Sequence, residues 1–170
     1  MAGLRRRLAA LLLLAGACGL PVPVLEIRGE GGQVLLQRPA PPGYRFELRF
    51  IHSAFRIPVR EIFTVDGAGR LVLREIRSTR GDIVDYYGIP GARVVDRPGD
   101  VRIVDLALPH RRLLVRAGPV GNRTFHDGRC ELPLAGLAGA GGRLTLAVAY
   151  RPWPLILLHR RGIPCPKPRA

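Results

Sequence analysis

The chain predicts an all-β fold, a single antiparallel β-sandwich or small barrel preceded by an N-terminal signal or lipoprotein segment. Three observations carry this. Short apolar runs alternate with a period of two, turn-forming Gly, Pro and Asn separate them at close spacing, and no long stretch shows the 3.6-residue period of an amphipathic helix. With 170 residues, 47% of them apolar and only 24% charged, the chain suits one globular unit large enough to bury most of its unfolded surface.

The N-terminus reads as a targeting segment. Residues 1–17 combine "MAGLRRR", a positive start, with "LAALLLLAGA", ten apolar or small residues from Leu8 to Ala17. That run is too short to span the ~30 Å hydrocarbon core of a bilayer. "AGAC" at Ala15–Cys18 resembles a bacterial lipobox, in which Cys18 is acylated and becomes the mature N-terminus; ordinary cleavage at "AGA" is the alternative. The expected product is exported, at a cell membrane or in a periplasm, and held by lipid. Three cysteines less a lipidated Cys18 leave Cys130 and Cys165, an even pair able to form a disulfide in an oxidising compartment.

Residues 18–151 form the expected β domain. "VLEIRG" and "QVLLQR" flank the turn Glu30–Gly32, and "APPG" at Ala40–Gly43 breaks the chain before "YRFELRFIHS". "PVREIFTV" and "RLVLREIR" flank "DGAG" at Asp66–Gly69, and "VRIVDLAL", "RLLVRA" and "RLTLAVAY" follow as further strands. Arg77–Asp100 reads as a long irregular stretch, the kind of loop where function concentrates. Residues 152–170 read as a C-terminal tail, with "PLILLH" as a final edge strand.

Two strands carry an anomaly. Alternation puts Tyr44, Phe46, Leu48, Phe50 and His52 on one face, so an imidazole stands where a buried hydrophobe belongs. On the next strand Val59, Glu61, Phe63 and Val65 share a face, so a carboxylate interrupts that stripe too. A hairpin centred on "FRIP" that opposes Phe50 to Phe63 and Leu48 to Val65 also opposes His52 to Glu61, with Cβ atoms about 5 Å apart. Such a pair has three readings: two polar groups satisfying each other, a ligand site with Ser53 beside it, or a base with its orienting acid. Catalysis needs a nucleophile next to the base, and alternation sends Ser53 to the opposite face. Asp82, Asp85, Tyr86 and Tyr87 form a polar, aromatic cluster in the long loop, fit to line a pocket mouth or to cover the core. No spacing of His, Cys, Asp or Glu resembles a metal motif, and no cofactor is expected.

The net charge of +14 is nearly all arginine, Lys167 being the one lysine among 27 basic residues. Removal of residues 1–17 takes Arg5, Arg6 and Arg7 and leaves +11. An exported chain without an aromatic-interleaved basic platform is not expected to meet nucleic acid; membrane lipid is the better partner, since anionic headgroups attract arginine.

"FELRFIHSAFRIPVREIFTVDGAGRLVLRE", Phe46–Glu75, with its His-Ser, Pro58, Glu61 and glycine-containing turn, resembles the bacterial family called domain of unknown function 1850. The resemblance implies an exported or membrane-associated protein found with tripartite ATP-independent periplasmic transporters of the TAXI subtype. It further implies an accessory or binding module beside a transporter membrane subunit or its solute-binding protein, and not an enzyme. The chain departs from the family's glycine-rich segment at "RGDIVDYYGIPGA".

Overall fold

A computed structural model describes residues 20–118, 121–138 and 142–153. Strand formation follows the alternation. β1 (Pro21–Arg28) and β2 (Val34–Pro39) pair antiparallel across the Glu30–Gly32 turn, where Gly32 takes a left-handed φ of 79°. β12 (Gly142–Pro152) lies on the other side of β1, and β9 (Arg112–Ala117) beside β12, giving a four-stranded sheet in the order β2-β1-β12-β9.

The second sheet runs β11-β10-β3-β4-β5-β7-β6, with the short β8 also against β5. Its strands are β3 (Arg45–Ile51), β4 (Pro58–Val65), β5 (Leu71–Ser78), β6 (Arg93–Arg97), β7 (Asp100–Val104), β8 (Leu108–His110), β10 (Thr124–His126) and β11 (Glu131–Pro133). One core joins the two sheets. Leu25, Ile27, Leu144 and Leu146 from the first meet Phe46, Phe63, Ile76 and Phe125 from the second, all nearly inaccessible to solvent. Phe46 is stacked on both Phe63 (centroids 5.2 Å) and Phe125 (5.6 Å). The architecture is therefore a sandwich of two sheets and not a closed barrel.

Several boundaries differ from the sequence reading. Arg77–Asp100 is not irregular throughout: it holds helix α1 (Asp82–Tyr87) and edge strand β6. A second short helix, α2, covers Ala135–Ala138. "VRIVDLAL" is not one strand, because Asp105 adopts φ 60° and splits it into β7 and β8, which pair with different halves of β5. On β5 a bulge leaves Arg74 opposite no residue of β4, so the inward set changes from Leu71 and Leu73 to Ile76 and Ser78. The signal segment, Cys18, "PLILLH" and Cys165 lie outside the described residues. Among the described residues no helix is long and apolar enough to cross a membrane.

Candidate functional site

The hairpin of β3 and β4 has a different register from the one expected. Phe46 opposes Phe63, Leu48 opposes Glu61 and Phe50 opposes Val59. The strands extend further toward the turn than "FRIP" implied, and four residues, Ser53–Arg56, close it. His52 N donates to Ile57 O (2.8 Å) and Arg56 N to His52 O (2.7 Å), with Arg56 left-handed at φ 54°. His52 thus faces Ile57 and not Glu61. In the observed register the turn closes on paired backbone groups, with His52 and Ile57 bonded directly across its base.

The faces are nevertheless the ones expected. His52 is buried, and its ring packs parallel to Phe55 (4.9 Å) and edge-on to Tyr86 (4.2 Å, 77°). Phe55 N donates to His52 Nδ1 at 3.4 Å. A neutral imidazole that accepts at Nδ1 carries its proton on Nε2, which leaves Nε2 as the donor. Glu61 finds its partner on α1: the Tyr87 hydroxyl donates to Glu61 Oε1 at 2.5 Å. Burial, and then the charge and hydrogen bond of Glu61, hold the Tyr87 phenol far above its usual range. Among the described residues His52 makes no hydrogen bond to either Ser53 or Glu61.

Helix α1 sorts the loop cluster. Ile83 is fully buried and anchors the helix, Tyr87 turns to Glu61 and Tyr86 to His52. The two acids do not join them. Asp82 pairs with Arg80, and Asp85 is exposed on the helix's outer side.

His52, Ser53, Glu61, Tyr86 and Tyr87 line a common cleft of about 560 Å³ at one end of the sandwich. Sequence reasoning missed its other wall. Arg116, at the end of β9, and Arg123, just before β10, both line it, with Gly118 and Gly121 between them in sequence. Gly121 accepts from Ile51 N at 2.8 Å, and a Cβ there would lie 3.0 Å from Ile51 O, so the close approach of this segment to β3 requires glycine. The Arg123 guanidinium lies 4.1 Å above the Phe50 ring, a cation–π contact. No local sequence signal marks either arginine in a chain with 27 basic residues.

The cleft therefore offers two guanidinium groups and an imidazole donor, opposite one carboxylate that already accepts from Tyr87. Phe50, Ile51 and Tyr86 give it an apolar wall. Among the described residues no group of three or more His, Cys, Asp or Glu side chains gathers as a metal site. His126 and Asp127 sit elsewhere, where Asp127 accepts from the Tyr44 hydroxyl at 2.7 Å.

No family model matches the chain, and no curated protein or solved structure matches it either.

Proposed function

We propose that this protein is an extracytoplasmic, lipid-anchored binding module that holds a small organic anion in the cleft between His52 and Arg123. The observation that supports this is the convergence of Arg116, Arg123 and His52 on one cavity of ligand size beside an apolar wall. Guanidinium groups bind carboxylate and phosphate oxygens through paired, charge-assisted hydrogen bonds, and Phe50 and Tyr86 would cover the ligand's carbon skeleton. Glu61, engaged by Tyr87, shapes the floor. The reading is of binding and not turnover, because the Ser53–His52–Glu61 relay that a hydrolase would use is not assembled by any hydrogen bond among the described residues. Service beside a solute transporter of the TAXI type is part of the proposal. It rests on the resemblance of Phe46–Glu75.

The test is a thermal-shift screen of the full chain against mono- and dicarboxylates, amino acids, inorganic phosphate and divalent metals, repeated with Arg123→Gln and His52→Gln. A ligand at a hundred times its Kd stabilises by about 2.7 kcal/mol. An organic anion that raises the midpoint of the original protein, but raises that of Arg123→Gln much less, supports the site. A panel with no shifts, or shifts equal in all three proteins, removes it.

A further inference from the structure

The outward face of the larger sheet carries a rung of four arginines. Arg49 opposes Arg60, Arg60 opposes Arg77 and Arg77 opposes Arg102, across β3, β4, β5 and β7. At about 4.8 Å per strand the row is roughly 14 Å long. Like charges directly opposed across a sheet repel, so the row needs compensation. Three members find it two residues back in their own strands: Arg49 on Glu47 (2.9 Å), Arg77 on Glu75 (2.6 Å) and Arg102 on Asp100. Arg60 does not, because Pro58 stands at that position. Among the described residues Arg60 has no ion pair, and it is exposed in the middle of the row.

Beside the rung the same face hollows into a concavity of about 530 Å³. Arg45, Arg74 and Arg93 join Arg77 and Arg102 around it, against only Glu75 and Asp105 as acids. Arg45, like Arg60, has no ion pair among the described residues. Ile62 and Val104 lie between the charges. The strand positions on this outward face include no Phe, Tyr or Trp, so it lacks the stacking platform of a single-stranded nucleic-acid binder.

We infer that this arginine face docks on an anionic phospholipid surface, its guanidinium groups taking headgroup phosphates in the rung and the concavity. A broad sheet face several strands wide complements a planar array of phosphates. The acids two residues back hold three of the rung arginines in place, Arg49 through Nε and Arg77 and Arg102 through Nε and Nη2, and leave Nη1 of each without a hydrogen bond among the described residues. The cleft of His52 lies elsewhere, so the inference stands whether or not that cleft binds an anion.

The experiment is vesicle flotation of the full 170-residue chain with phosphatidylcholine alone or mixed with phosphatidylglycerol, comparing the original with Arg45→Gln/Arg60→Gln. Attachment through other parts of the chain is common to both proteins, so the anionic-to-neutral binding ratio isolates the face. At an anionic surface each arginine is worth about fivefold; the double variant, folded by circular dichroism, should lose about 25-fold of that ratio. Arg45→Lys/Arg60→Lys should keep most of it, and added salt should erode it. Equal ratios for the original and the double variant overturn the inference. So does a variant that keeps its preference for anionic vesicles while losing affinity for soluble polyphosphate, since the face would then serve a soluble polyanion.

Discussion

The Tyr87 hydroxyl donates to Glu61 Oε1 at 2.5 Å and so ties helix α1 to strand β4 across 26 residues of chain. Burial and the neighbouring carboxylate both oppose ionisation of the phenol and favour its protonated, donating form. Tyr87→Phe removes the donor and leaves a half-buried carboxylate oxygen without it. The expected cost is about 1–3 kcal/mol, read as a lower urea midpoint with an unchanged m-value. Glu61→Gln, which retains an acceptor oxygen, should cost less. Equal stability of Tyr87→Phe and the original would mean that Ile83 alone anchors α1.

A second carboxylate makes stability depend on pH. Glu26 on β1 is almost inaccessible and accepts hydrogen bonds from Arg151, Gln37 and Arg28. Burial alone would raise its pKa, but the three donors outweigh it and hold it below its ordinary value of 4.5. A depressed pKa in the folded state means a contribution fully present above the unfolded value and lost as pH falls through the folded one. Glu26→Gln should therefore cost about 2 kcal/mol near neutral pH. The gap between the two proteins should narrow steadily below about pH 4.5 in unfolding curves taken across the acid range. A gap independent of pH would place the cost in packing and not in charge.

The faces of β3 and β4 were legible because alternation depends only on parity, and parity correctly buried Phe46, Leu48 and His52 while turning the half-buried Phe50 and Glu61 inward. Register was not. The expected and observed hairpins differ by an even slip, so both keep the same inward residues, and only the turn chooses between them. "SAFR" carries no Gly or Asn to announce the left-handed residue that Arg56 supplies. The true partner of Glu61 was hidden for a different reason: α1 spans six residues, too few to show a helical period. Arg116 comes to the cleft from the end of β9 and Arg123 from the segment before β10, and nothing local distinguishes them from other arginines. The Arg74 bulge is likewise silent, since Leu73 and Ile76 each look well placed when read alone.

The turn itself supplies a third prediction. Arg56 is exposed, and a left-handed backbone costs a residue with a Cβ about 1–2 kcal/mol relative to glycine. Part of that gain returns as the greater freedom of glycine in the unfolded chain. Arg56→Gly should thus stabilise the protein by roughly 0.5–1 kcal/mol, measured as a raised denaturation midpoint. A loss instead would show that the Arg56 side chain contributes more than its backbone strain removes.

The cysteines give the last prediction and bear on the proposed lipid anchor. Cys130 is buried and disulfide-bonded, whereas Cys18 and Cys165 lie outside the described residues. A lipobox requires the Cys18 thiol for a thioether to lipid, which leaves Cys165 as the partner of Cys130. If the proposed anchor is right, peptide mapping without reductant, on protein made in its own cell, should therefore find the Cys130 peptide joined to the Cys165 peptide, and Cys18 acylated. Closing that loop contributes about 3–4 kcal/mol by chain-entropy estimates, so reductant should lower the midpoint of unfolding, and Cys165→Ser should do the same. If the Cys130 peptide is found joined to Cys18, one sulfur cannot serve both bonds. The lipid anchor then falls, and membrane attachment would rest on the arginine face alone.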